Sequence, residues 1–257
     1  MILCLAGTSD ARELARKLKQ AEHSVLATVV TENAAIELKN EKIPVRVGRL
    51  TAEEMEKIIQ DLKITLVVDA SHPFAEEASK NAIAAAANTS IPYIRYERAH
   101  HVIDDPLLQV VESYEKAAKL AALRGGTVML TTGSKTLQVF TNELLHLPNV
   151  KLIARMLPRK DNMEKCEQLG LPQKHIIAIQ GPFTKEFDQA LYKQYGVTTM
   201  ITKESGKVGS VDQKLEAAKD LGIHVIVIKR PDISYGNVHQ TFEDVLTAVH
   251  QLSKGEK

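Results

Sequence analysis

The 257-residue chain has no tryptophan, and aromatic side chains make up only 4% of it. That excludes a base-stacking nucleic-acid surface, which needs exposed aromatics, and an antibody-like sandwich, whose core is organised around a buried Trp. Cysteine is almost missing. Cys4 and Cys166 stand far apart, with no CxxC and no Cys/His cluster, so neither a disulfide framework nor a metal site is expected. Cys4 lies in the apolar run Met1–Ala6 and suits a small buried hydrophobe. An excess of one charge sign is also lacking: 33 Lys and Arg face 32 Asp and Glu, a formal net charge of +1. No global field draws nucleic acid, and an anionic partner has to be held by local arrangement. No run approaches the about 18 apolar residues of a membrane span. The chain does not open on a basic stretch followed by an apolar one. The expectation is a cytoplasmic protein without a membrane span.

What is present is a globular composition, 44% hydrophobic and 25% charged, laid out as an alternation. Short apolar runs at Ile2–Ala6, Val25–Val30, Pro44–Val47, Thr65–Asp69 and Pro92–Arg95 suit strands. Between them, apolar residues at i, i+3 and i+4 mark helices near Asp10–Lys19, Thr51–Leu62 and Phe74–Asn88. Thr51 followed three residues later by Glu54 is a capping box. The rhythm breaks at Ala99–Leu107, where His100, His101, Asp104, Asp105 and Pro106 crowd together. It resumes with strands at Thr127–Thr132, Leu152–Ala154, His175–Ile179, Thr199–Thr202 and Val225–Ile228, and helices at Ser113–Leu123, Thr184–Tyr195, Asp212–Leu221 and Thr241–Leu252. Strand, helix and strand in steady order predict parallel sheets covered by helices, because parallel strands need crossover connections. The expected division is residues 1–100 and 101–257, with the final helix free to pack back on the first half.

Ligands of open α/β sheets bind outside the carboxyl ends of the strands, so the turns there are the candidates. Gly7-Thr8-Ser9-Asp10 joins the first strand to the first helix. A small residue lets backbone N–H groups approach a phosphate at a helix N-terminus, while Thr8 or Ser9 equally suits a helix N-cap. The full GxGxxG pattern is absent. Glu32, after the second strand, suits a ribose hydroxyl or the start of a helix. Arg46 and Arg49 suit a phosphate or a solvated face. Asp69-Ala70-Ser71-His72-Pro73-Phe74 ends the fourth strand. Its imidazole can hydrogen-bond a ligand or deliver a proton, or the run is simply a capped turn before Pro73. Arg95 and Arg98 suit carboxylates in a cleft or salt bridges at the domain joint. In the second half, Thr131-Thr132-Gly133-Ser134-Lys135, Gln180-Gly181-Pro182-Phe183 and Thr202-Lys203-Glu204-Ser205-Gly206 repeat the design of a strand followed by a polar turn. Arg155, Arg159 and Lys160 follow another strand. Several such turns on one edge suggest a continuous cleft for a large polar ligand. No GxSxG or HExxH is present, and His100-His101 has no partner at metal-ligand spacing.

Taken in order, Gly7-Thr8-Ser9-Asp10-Ala11, Asp69-Ala70-Ser71-His72-Pro73-Phe74-Ala75, Arg95-Tyr96-Glu97-Arg98, Thr131-Thr132-Gly133-Ser134-Lys135, Gly181-Pro182-Phe183, Thr202-Lys203-Glu204-Ser205-Gly206 and Val227-Ile228-Lys229-Arg230-Pro231 together resemble the precorrin-6A reductase and cobalt-precorrin-6A reductase family of cobalamin biosynthesis. The resemblance implies an α/β protein of two Rossmann-like domains with mainly parallel sheets and an interdomain cleft, the first domain binding cofactor. It implies NADPH or NADH as reductant, a polycarboxylate corrinoid precursor as substrate, hydride delivery to carbon 19 and protonation at carbon 18. Hand-over to other enzymes of the pathway is a further expectation. Carried over position by position, Gly7, Thr8 and Ser9 would contact cofactor phosphate. Thr132, Gly133, Lys135, Lys203, Ser205 and Gly206 would bind cofactor at the border with substrate. Arg95, Arg98 and Arg155 would meet substrate carboxylates, and His72 would be the proton donor. Ser71 stands where the family pattern usually has Thr, keeping the hydroxyl, and the passage after Arg98 lacks the usual proline and aromatic. A non-catalytic dinucleotide sensor and an S-adenosylmethionine-dependent methyltransferase of the same pathway are the competing expectations.

Overall fold

The computed structural model describes residues 1–97, 105–204 and 213–253. They form two compact units, Met1–Ala99 with Pro231–Lys257, and His100–Arg230.

The first unit begins with β1 (Ile2–Leu5), α1 (Ser9–Gln20), β2 (Val25–Val29), α2 (Glu32–Asn40), β3 (Val45–Val47), α3 (Ala52–Asp61), β4 (Leu66–Asp69), α4 (Glu76–Asn88) and β5 (Tyr93–Tyr96). β1, β2 and β4 are buried along their whole length, as parallel strands covered on both faces are. Alternation decides which helices each side chain meets. Ile2 and Cys4 point into a core with Leu14 and Leu18 of α1 and Leu38 of α2. Leu3 and Leu5 point the other way, onto Met55, Ile58 and Ile59 of α3 and Ala82, Ala85 and Ala86 of α4. Helix starts follow local chemistry. The Thr8 hydroxyl accepts from Ala11 N at 3.1 Å. The Thr51–Glu54 capping box is complete, with Thr51 N donating to Glu54 Oε2 at 2.9 Å and Glu54 N donating to Thr51 Oγ1 at 3.3 Å.

The second unit runs β6 (Leu108–Val111), α5 (Tyr114–Arg124), β7 (Gly126–Leu130), α6 (Leu137–Leu144), β8 (Val150–Met156), α7 (Lys160–Gln168), β9 (Ile176–Ala178), α8 (Lys185–Tyr195), β10 (Thr199–Lys203), α9 (Gln213–Asp220) and β11 (His224–Ile228). The chain then returns to the first unit as β12 (Val238–His239) and α10 (Phe242–Ser253). Val245, Ala248 and Val249 of α10 complete the core over α1, and Phe242 packs on Tyr96 with ring centroids 5.0 Å apart.

Both sheets are six-stranded with every pairing parallel, in the orders β12-β5-β4-β1-β2-β3 and β6-β11-β10-β7-β8-β9. Setting aside the edge strands β12 and β6, each has the doubly wound order in which the chain starts in the middle, at β1 or β7, winds to one edge and then to the other. The sixth strand is exchanged: β6 follows β5 in sequence yet completes the second sheet, and β12 follows β11 yet completes the first. The second unit ends at Arg230, and the final helix lies in the first unit. An apolar helix face such as that of α10 carries no address, so sequence pattern alone does not select its host sheet.

Other elements were not legible in the alternation. α2, α6 and α7 are eight or nine residues long, too short for a firm helical period. β6 exposes Gln109 and Val110 on a sheet edge, and β12 has two residues. Among the described residues, no helix is long and apolar enough to cross a membrane.

Candidate active site

In a doubly wound sheet, the crevice lies where the strand order reverses. In the first sheet that point falls between β1 and β4. The turn after β1 is Ala6-Gly7-Thr8, and the turn after β4 is Ala70 to Ala75. Gly7 is exposed, and a Cβ built on it would meet nothing within 4 Å among the described residues. Thr8 takes the N-cap of α1, so the Ser9 N–H starts the helix with no acceptor in its own ladder. Arg12 folds back over this turn, its Nη1 3.4 Å from the Gly7 carbonyl and its Nε 2.7 Å from Glu37 Oε2. Nothing in the sequence spacing marked that pair. Glu32 is the first residue of α2, capped by Thr31, which favours the helix-start alternative. Arg46 and Arg49 are exposed.

Beneath the β4 turn lies a buried polar cluster. Arg95 and Asp69 are both 0% exposed, with Nη1 to Oδ1 at 3.0 Å. The same Nη1 lies 3.2 Å from Ser71 Oγ. Asp69 also accepts from Ser71 N at 2.9 Å and from the Tyr93 hydroxyl at 2.7 Å. Burial and the Asp69 charge push the Tyr93 phenol far above its ordinary range, so it stays a donor. Ser71 and Ser79 hydroxyls are 3.2 Å apart, and the Tyr235 ring covers the Arg95 guanidinium at 4.6 Å. Arg95 is therefore a salt-bridged internal residue, which corrects its expected exposure to substrate carboxylates: its charge is spent on Asp69 and Glu97. Tyr235 and Ser79 escaped the sequence argument because one lies on the return segment and the other on a helix with no distinguishing motif.

The cluster fixes the turn that carries His72. The imidazole is exposed, and its Nδ1 accepts from Phe74 N at 3.2 Å. In the neutral ring that bond leaves the proton on Nε2.

The second sheet reverses order between β7 and β10. After β7, the Thr131 hydroxyl donates to the Ile201 carbonyl at 3.1 Å and Ser134 donates to Asn162. Gly133 has φ +79°, and a Cβ there would meet nothing within 4 Å among the described residues. Lys135 is exposed. Lys203, at the end of β10, lies 5.8 Å from the Tyr114 ring centroid, and burial together with the nearby Lys135 charge lowers its pKa. Arg155 is 8% exposed, ion-paired with Asp188 and laid over the Phe183 ring at 4.6 Å. Like Arg95 it is committed inside its own unit, which corrects the expected carboxylate contact. Asp188, 33 positions away, gave no local signal. Arg159 pairs with Asp161 at 2.8 Å, and Lys160 with Glu164 at 3.5 Å. Arg98, Ser205, Gly206, His100 and His101 lie outside the described residues.

Comparisons with known proteins give the family. Residues 1–252 match the family described as precorrin-6x reductase CbiJ/CobK. A curated cobalt-precorrin-6A reductase of Priestia megaterium is 66% identical over 97% of this chain and 98% of its own length. One from Salmonella typhimurium is 36% identical over 90% of this chain and 87% of its own. A solved CobK precorrin-6A reductase superposes with a TM-score of 0.79 at 24% identity, covering 98% of this chain and 96% of that one, and so shares the fold. The chain belongs to the precorrin-6x reductase family and is an oxidoreductase of the precorrin-6A reduction step in cobalamin biosynthesis.

Proposed function

We propose that the protein reduces one double bond of cobalt-precorrin-6A, using NADPH or NADH, with hydride added at carbon 19 and a proton at carbon 18. The 66% identity across nearly the whole chain carries this reading. The cobalt form is favoured because relatives so named reach 66%, 34% and 36% identity, while those named simply precorrin-6A reductase reach 30% and 29%.

The turns fit a dinucleotide. An open Cβ direction at Gly7, an exposed helix N-terminus and the hydroxyls of Thr8 and Ser9 make a cradle for phosphate. When bound, the nicotinamide supplies the hydride. The chain's own contribution is positioning and proton supply. Gly7, Thr8 and Ser9 hold the phosphate. The family resemblance assigns Thr132, Gly133, Lys135, Lys203, Ser205 and Gly206 to cofactor binding next to substrate, and Arg98 to a carboxylate arm. His72 delivers a proton from Nε2 as an imidazolium and is left as the neutral ring, whose Nδ1 accepts from Phe74 N as in the structure. Such a reaction needs orientation more than a nucleophile. A cytoplasmic location and hand-over of product to the next enzyme belong to the same proposal.

The test is anaerobic loss of nicotinamide absorbance with purified protein and either cobalt-precorrin-6A or precorrin-6A in parallel cuvettes. Oxidation that needs both protein and macrocycle, faster with the cobalt form, is the expected result. No oxidation with either form by folded, cofactor-binding protein would overturn it in favour of a sensor.

A further inference from the structure

We propose that the turn Thr132–Thr136 is a side-chain-built oxyanion cradle. In it the Thr132 and Thr136 hydroxyls, the α6 N-terminus and the Lys135 ammonium group hold one carboxylate or phosphate group. The ligand's source rests on the reductase reading; the cradle itself rests on geometry. Four hydroxyls lie in the six residues from Thr131 to Thr136. Those of Thr131 and Ser134 are committed to Ile201 and Asn162. Those of Thr132 and Thr136 are buried, and neither has a hydrogen-bond partner among the described residues. Thr132 as a residue is 5% exposed. Native proteins seldom bury a hydroxyl without a partner, and two such groups in one turn point to an acceptor supplied from outside the chain.

Three further features agree on the acceptor's charge. Thr136 occupies the N-cap of α6 but makes no side-chain capping bond, so the positive end of the helix is not quenched by its own cap. Gly133, at φ +79° with open space where a Cβ would stand, lets a ligand approach the backbone. Lys135, exposed within the same turn, adds a positive charge beside the helix start. The Gly7 turn differs: its Thr8 hydroxyl accepts from Ala11 N, so that helix start is capped by its own side chain. The two turns are thus separable by mutation.

The probe is inorganic pyrophosphate, titrated into the full-length protein while backbone amide resonances are followed. The Gly133 amide should shift and saturate. Thr132→Val, which keeps the shape and removes the hydroxyl, and Lys135→Ala should each weaken binding at least tenfold, and Thr132→Ser should restore it. An unmoved Gly133 amide, or affinities within twofold in both weakening variants, would overturn the cradle. NADPH and cobalt-precorrin-6A titrated separately then name the source. A tenfold loss for the dinucleotide assigns a cofactor phosphate, and the same loss for the macrocycle assigns a carboxylate arm. Changes within twofold for both would overturn any role in binding the reaction's ligands. If the wild type oxidises no cofactor with either macrocycle, the reductase reading fails while the pyrophosphate result still decides the cradle.

Discussion

Arg95 and Asp69 form an ion pair at 3.0 Å with both side chains wholly removed from solvent. The pair links adjacent strand ends, since Asp69 closes β4 opposite Arg95 of β5, and it sits directly under Ser71 and the His72 turn. A buried charge that loses its partner is costly, so Asp69→Asn should destabilise the protein by about 3 kcal/mol. Urea unfolding checks this; a loss under about 1 kcal/mol would mean that Glu97 alone can hold Arg95.

Tyr235 reaches this pair from the return segment that leads into β12. Its ring lies 4.6 Å from the Arg95 guanidinium carbon, a desolvated cation–π contact worth about 2 kcal/mol. Tyr235→Ala should lower stability by about that amount and Tyr235→Phe by well under half of it. Equal losses would assign the effect to the hydroxyl.

Gly7→Val is a clean probe of the first turn, because the added side chain starts into open space and leaves the core untouched. Cofactor affinity should fall at least about tenfold, or 1.4 kcal/mol, with the thermal midpoint unchanged. Unaltered affinity would remove the phosphate from this turn.

His72→Ala should slow turnover roughly 100-fold if the imidazole delivers the proton, with KM nearly constant. A decrease under about threefold would return His72 to a purely structural role in the turn.

Acid sensitivity should arise at His23. Burial, His250 and the amino terminus hold its pKa below the ordinary 6.5. The unfolded chain therefore takes up the proton first as pH falls, and stability is lost below the ordinary histidine range. The thermal midpoint should drop as pH falls through 6.5 and below, and His23→Gln should flatten that drop. An identical slope in the variant would place the sensitivity elsewhere.

Much of this was written locally. Thr8, Thr51, Ser113 and Thr184 cap the helices that follow them, and the strands at Ile2, Val25, Leu66 and Thr199 are short apolar runs where the alternation requires them. Gly7, His72 and Gly133 were legible as candidates because each sits in a polar turn right after such a run. The roles of Arg95 and Arg155 were not, because an arginine at a strand end carries the same local pattern whether its partner is a ligand or an aspartate 26 or 33 positions away in the sequence.

The sequence by itself determined the class of the protein: alternating periodicity makes parallel α/β layers, and ordered turn motifs name the family. Only the tertiary structure decided that β6 and β12 are exchanged between the sheets, that α10 returns to α1, and that Thr132 and Thr136, unlike Thr131 and Ser134, have no hydrogen-bond partner among the described residues. The physical reason is range. Helix caps and strand periods are set by neighbours a few residues away, whereas edge pairing, ion-pair choice and the satisfaction of a buried hydroxyl depend on groups that meet only after the chain has folded.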